Sequence, residues 1–80
     1  MRFITKIYAD RIFVFVHLND GTVVNVRRDK FPRLRNATVD AVRSYELLAD
    51  GTAVHWPDID EDISLDGFLR NAAYVTRPQS

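Results

Sequence analysis

The stretch His55-Trp56-Pro57-Asp58-Ile59-Asp60-Glu61-Asp62-Ile63-Ser64 contains the only Trp of the chain, one of its two His and four of its eleven carboxylates. Upstream of it, Thr52, Val54 and Trp56 share one face of a strand while Ala53 and His55 share the other, which assigns Trp56 to the core. Pro57 has no N–H to give to a ladder and holds the preceding residue extended, so the strand ends at Trp56. Downstream, Ser64 is a good helix N-cap, and Ile63 with Phe68 has the spacing of a hydrophobic staple. Leu65, Phe68, Leu69 and Ala72 recur at i, i+3, i+4 and i+7 and predict a closing helix with one apolar face. Gly67 weakens that helix by about 1 kcal/mol relative to Ala and permits close packing. Residues 74–80 are expected to fray.

Between strand and helix stand Asp58, Asp60, Glu61 and Asp62. Acidic groups just before a helix N-terminus stabilise its dipole and accept its free N–H groups. An acidic turn flanked by Trp and Pro also suits basic residues of a partner, including an Arg-rich segment of a second copy. These carboxylates do not make an Asp-x-Asp-x-Asp-Gly calcium loop and lack the later Glu that completes one. His55 beside a carboxylate can form an acid/base pair, but no nucleophile, oxyanion donor or cofactor loop accompanies it. No catalytic, cofactor-binding or metal-ligating set is therefore expected.

Working toward the N-terminus, Tyr45-Glu46-Leu47-Leu48 reads as a strand and Ala49-Asp50-Gly51 as a hairpin turn leading into the strand that ends at Trp56. An earlier hairpin has the same recipe. Leu18-Asn19-Asp20-Gly21-Thr22-Val23-Val24-Asn25-Val26 and Leu48-Ala49-Asp50-Gly51-Thr52-Ala53-Val54-His55-Trp56 share Leu, Asp, Gly, Thr and Val at the same places, either as a duplicated unit or as reuse of one good turn. Phe3, Thr5 and Ile7 share one parity, and Ile12-Phe13-Val14-Phe15-Val16-His17-Leu18 is dense in branched and aromatic residues. With Ala9-Asp10-Arg11 as a turn, these segments and Thr22 to Val26 make a three-stranded meander. His17 reads as an edge or partly exposed strand residue with no partner base or ligand beside it.

The middle of the chain is basic. Arg27, Arg28, Lys30, Arg33, Arg35 and Arg43 stand against Asp29 and Asp40, whereas Asp58 to Asp66 holds five carboxylates and no base. Asp29 is placed to cap a short helical turn with Pro32 in its first turn, and Thr38 to cap a second with Asp40 at its positive end. The arginines form a solvated face, or a surface for an acidic partner or phosphate. Eleven bases balance eleven acids, which argues against a chain whose main work is gripping nucleic acid through many phosphate contacts.

Eighty residues support one core and one domain, whose net stability should be a few kcal/mol. The chain has no Cys, so disulfides and cysteine zinc sites are excluded and a reducing cytoplasm suits it. No signal peptide or membrane span is recognisable in it. The expected fold is α+β: a small antiparallel sheet of about five strands with two Asp-Gly hairpins, short helical segments and a C-terminal helix.

The run from His55 to Leu69, with Phe31-Pro32-Arg33-Leu34-Arg35-Asn36-Ala37-Thr38 and the strand pair around Asp20-Gly21 before it, resembles domain of unknown function family 2442 over residues 3–70. Members share the order Asp-Gly hairpin, Phe-Pro-Arg-Leu-like helical segment, then His-Trp-Pro-x-x-Asp-Glu-Asp before a closing helix. The resemblance implies a small bacterial or phage protein, often encoded beside a member of domain of unknown function family 4160 in an arrangement resembling a type II toxin–antitoxin pair. The chain would be the antitoxin-like, non-catalytic, protein-binding member. Its partner-binding candidates are His55, Asp58, Asp60, Glu61 and Asp62 on the acidic side and Arg27, Arg28, Arg33 and Arg35 on the basic side, with Trp56, Pro57 and Ser64 as a structural signature. The alternatives are a nucleic-acid-associated regulator using the basic 27–43 segment and a protein of purely structural role; a homodimer is a further expected partner state, and nucleic acid is not expected as a partner of this chain alone.

Overall fold

The computed structural model describes residues 1–78. The meander is present as β1 (Ile4–Ala9), β2 (Phe13–Leu18) and β3 (Val23–Arg27), paired antiparallel in that order. Its turns are held by side chains of the residues that mark them. Asp10 accepts the N–H groups of Ile12 and Phe13 at 2.8 and 2.7 Å, and these bonds hold its carboxyl below the ordinary value. Asp20 accepts the Thr22 N–H at 2.9 Å, and Gly21 takes the positive φ of 89°. Alternation of burial breaks in β1, where the register shifts between Ile4 and Lys6 so that Ile4 and Ile7 are both buried, and in β3, where Asn25 is buried between Val24 and Val26. The Ile7 N–H donates to the Tyr45 hydroxyl at 3.0 Å.

A second sheet holds β4 (Glu46–Leu48), β5 (Ala53–Trp56) and β6 (Glu61–Ser64), so among the described residues the strands number seven in two sheets rather than about five in one. Pro57 ends β5 as expected, but the acidic stretch does not lead into a helix. It closes a hairpin in which Trp56 pairs with Glu61 and His55 with Asp62. Asp60 makes the reversal possible by adopting a φ of 51°, a left-handed conformation that Asp tolerates better than most residues. The strand between Glu61 and Ser64 carries the carboxylates about 10 Å from the helix that follows, too far to cap it. Ser64 does cap α3 (Leu65–Arg70), its Oγ accepting the Gly67 N–H at 3.0 Å.

That helix is shorter than its apolar spacing suggested. Leu65 and Phe68 are buried, Leu69 is exposed, and Ala72 already belongs to β7 (Ala72–Thr76), which pairs antiparallel with β3. The expected frayed tail is thus corrected at Tyr74–Thr76: the branched and aromatic residues there complete the open edge of the meander, giving the order β1-β2-β3-β7. Gln79 and Ser80, the end of that tail, lie outside the described residues.

The two Asp-Gly turns differ in geometry. Pairing of His17 with Val23 leaves a five-residue connection, whereas pairing of Leu48 with Ala53 leaves four, with Ala49, Asp50 and Gly51 all at positive φ. The shared sequence therefore does not give superimposable hairpins.

Between β3 and β4 run a 3-10 turn (Arg28–Lys30), α1 (Pro32–Arg35) and α2 (Val39–Arg43). Thr38 caps α2 by accepting the Ala41 N–H at 3.1 Å, but Asp29 caps nothing; it lies within the 3-10 turn and pairs with Arg27 at 2.9 Å. One core joins both sheets and the helices. Trp56 is fully buried, meets Phe68 edge-on at 6.2 Å and donates its indole N–H to the Val42 carbonyl at 2.7 Å, tying β5 to α2.

Candidate functional site

The hairpin β5–β6 presents Asp58, Asp60 and Asp62 to solvent, with Glu61 half-buried at the start of β6. Its conformation is held from two directions. Arg33, on α1, donates to the Asp60 carbonyl at 2.8 Å and the Ile59 carbonyl at 3.4 Å, with the Asp60 carboxylate at 3.9 Å. The guanidinium is spent mainly on the backbone of the turn, leaving the Asp60 side chain 91% exposed. On the strands, His55 Nδ1 lies 2.5 Å from the Asp62 carboxylate across a paired position. That hydrogen bond, reinforced by the negative charge of Asp62, Glu46 and Asp60, raises the His55 pKa above its ordinary 6.5.

The acidic turn thus meets an arginine of its own chain. Of the basic candidates, Arg27 pairs with Asp29. Arg28 is a correction: it is 5% exposed and cannot meet a partner. Its guanidinium donates to the carbonyls of Asp10 at 3.0 Å, Leu34 at 3.1 and 2.9 Å, and Ala37, cross-linking the first turn to α1 and the loop after it. Arg35 is exposed on the solvent side of α1, opposite the buried Leu34. Trp56, Pro57 and Ser64 occupy the core, the start of the turn and the cap of α3. Among the described residues there is no pocket and no group of three or more His, Asp or Glu arranged to hold a metal ion. No helix among them is long and apolar enough to cross a membrane.

Sequence reasoning missed a second surface. Tyr8, Phe13, Phe15 and Tyr74 lie together on the outer face of the four-stranded sheet, and Arg43 sits 4.6 Å from the ring centre of Tyr8, at one end of the row. The signal was present in β2, where Val14, Val16 and Leu18 alternate with Phe13, Phe15 and His17 and only one set can face the core.

A family model described as "Protein of unknown function (DUF2442)" matches residues 6–74. The chain belongs to that family. The match begins inside β1 and ends inside β7, so the family's unit includes both sheets and the acidic hairpin between them. A crystal structure of a protein of unknown function from Rhodospirillum rubrum ATCC 11170 is similar to this chain, with a TM-score of 0.78 and 27% identity. The alignment covers 90% of this chain and 89% of that one. No curated protein matches.

Proposed function

We propose that this DUF2442 chain is a non-catalytic protein-binding module that presents its acidic hairpin to a basic surface on a partner protein. The observation that carries the reading is the state of the hairpin's charge: Asp58 and Asp60 are exposed, Asp62 is exposed but bonded to His55, and Arg33, which reaches the turn, is committed mainly to its backbone carbonyls. A rigid hairpin with unspent carboxylates offers charge-assisted hydrogen bonds to arginines at little ordering cost. Resemblance to the family's operon arrangement supports an antitoxin-like role in the cytoplasm, with a toxin-like neighbour resembling domain of unknown function family 4160 as the partner occluded.

Co-expression with the adjacent reading frame tests this. The neighbour's product is expected to co-purify with the chain and to lose toxicity in its presence, and Asp58→Lys with Asp60→Lys is expected to abolish co-purification while leaving the melting temperature of the free chain nearly unchanged. Co-purification that survives the charge reversal would move the interface elsewhere, and a neighbour that neither binds nor is detoxified would end the antitoxin reading.

A further inference from the structure

Zero net charge conceals a separation of charge in space. Residues 44–71, which contain the second sheet and α3, carry seven acids and one base. Residues 1–27 and 72–78, which form the first sheet and its turns, carry five bases and two acids, and the four strands themselves contain no carboxylate. On the outer face of that sheet the cross-strand register aligns Tyr8, Phe15, Asn25 and Tyr74 in one row, Lys6, His17, Val23 and Thr76 in the next, and Phe13 with Arg27 on the other side. Four aromatic rings form a chain across it: Tyr8 to Phe15 at 6.1 Å, Phe15 to Phe13 at 6.0 Å, and Phe13 to Tyr74 at 6.0 Å. Tyr8 is 45% and Tyr74 53% exposed.

Cations ring this platform. Lys6 and Arg27 stand on the strands, Arg11 in the β1–β2 turn and Arg77 directly after β7. Arg43 donates to the Tyr8 hydroxyl at 2.9 Å and to the Ala9 carbonyl at 3.1 Å, so it is fixed beside the rings. Asp29 offsets part of this charge by pairing with Arg27. Asn25, in the middle of the row, is 3% exposed and satisfied by the carbonyls of Val23 and Tyr74 and the Thr76 hydroxyl, which makes the centre of the platform rigid. A second copy of the chain placed face to face would bring like charges together, which disfavours it. A partner that offers flat rings and negative charge along one strand fits both features: bases stack on the aromatic side chains and phosphates meet the cations.

We infer that the outer face of the four-stranded sheet is a docking surface for single-stranded nucleic acid, with Tyr8, Phe15, Phe13 and Tyr74 as the stacking platform and Lys6, Arg27 and Arg43 as phosphate contacts. The contact runs through bases and phosphates and leaves the sugar unread, so RNA and DNA strands bind alike. A duplex, whose bases are already stacked, does not.

Fluorescence anisotropy at low salt with a labelled oligonucleotide of about twelve nucleotides tests this. Single strands of RNA and DNA are expected to bind, with affinity falling as salt rises and a slope of about two to three on a log–log plot, set by the few cations available. Tyr74→Ala is expected to weaken binding at least about fivefold and Tyr74→Phe to leave it nearly unchanged, since the ring and not the hydroxyl does the stacking. Tyr74 lies on an exposed edge strand, so both variants should fold, and circular dichroism checks that they do. Absence of binding at low salt, equal binding of duplex, or indifference to Tyr74→Ala in a folded variant would overturn the assignment. So would self-association in ultracentrifugation that Tyr74→Ala abolishes and no oligonucleotide displaces, which would give the face to a second copy.

Discussion

The strands of the four-stranded sheet carry Lys6 and Arg27 and no carboxylate, whereas those of the three-stranded sheet carry Glu46, Glu61 and Asp62 and no Lys or Arg. The two also differ in how they are held. In the first, Ile4, Ile7, Val14, Val16, Val24 and Val26 bury a continuous inner face and each strand but the outermost two has neighbours on both sides. In the second, β4 is exposed at all three of its positions, and the buried residues are fewer, Val54, Trp56 and Ile63, with Gly51 against Ile4 and Arg33 bracing the hairpin turn. A broad apolar face makes one sheet tolerant of its surface, while the smaller sheet rests on a few buried residues and gives its exterior to charge.

Loss of the main anchor should have the largest effect. Trp56→Ala removes a fully buried ring and the bond to Val42, at a cost of about 3–5 kcal/mol, comparable with the whole stability of so small a domain. A calorimetric scan should show no cooperative transition. Trp56→Phe should keep the transition, with amide exchange rising first in β4–β6; uniform exchange across both sheets would break the distinction drawn between them.

The two Asp-Gly turns allow a paired test. A Cβ on Gly51, at φ 86°, would lie 2.8 Å from the Ile4 carbonyl oxygen, where the second sheet abuts the first. A Cβ on Gly21, at φ 89°, would meet only the Pro78 side chain at 3.2 Å. Gly51→Ala should therefore cost about 2–4 kcal/mol and Gly21→Ala about 1 kcal/mol in urea denaturation. Equal losses would show that the contact between the sheets contributes nothing beyond backbone strain.

Arg28 belongs to neither sheet's surface. Arg28→Met should cost about 2–3 kcal/mol by orphaning the Asp10, Leu34 and Ala37 carbonyls, and Arg28→Lys should recover little because one ammonium cannot replace the fork. Chemical denaturation of the two variants would measure this, and wild-type stability in either would return Arg28 to the list of free surface cations.

The smallest effect is a pH dependence confined to the second sheet. The raised pKa of His55 means that its bond to Asp62 contributes fully below the ordinary value of 6.5 and is lost as pH rises through the folded-state value. Melting temperatures from about pH 5 to about pH 8 should decline slightly in the wild type and lose that component in Asp62→Asn. A decline that persists unchanged would assign it to another group.

Much of the local structure was legible in the residues themselves. Asp20-Gly21, Asp50-Gly51, Pro57, Thr38 and Ser64 mark turns, a strand end and two helix caps, and each acts locally, through a bond to nearby backbone, a positive φ or a missing N–H. The same recipe misled where its outcome depended on a distant partner. Asp58 to Asp62 has the composition of a helix approach, yet Glu61 and Asp62 find Trp56 and His55 across a hairpin. Leu65 to Ala72 has helical spacing to its end, yet Ala72 to Thr76 finds the open edge of β3.

The two Asp-Gly turns, the adjacency of the strands in the meander and the placement of Trp56 in a core were readable from the residues alone, because they follow from dihedral preference and alternation over a few positions. The division of the strands into two sheets, the enclosure of Arg28, the bracing of the acidic turn by Arg33 and the outward-facing row of four aromatic rings depend on long-range packing. Strand pairing and burial join residues far apart in the chain, and a side chain's environment is set by whichever segment finally packs against it.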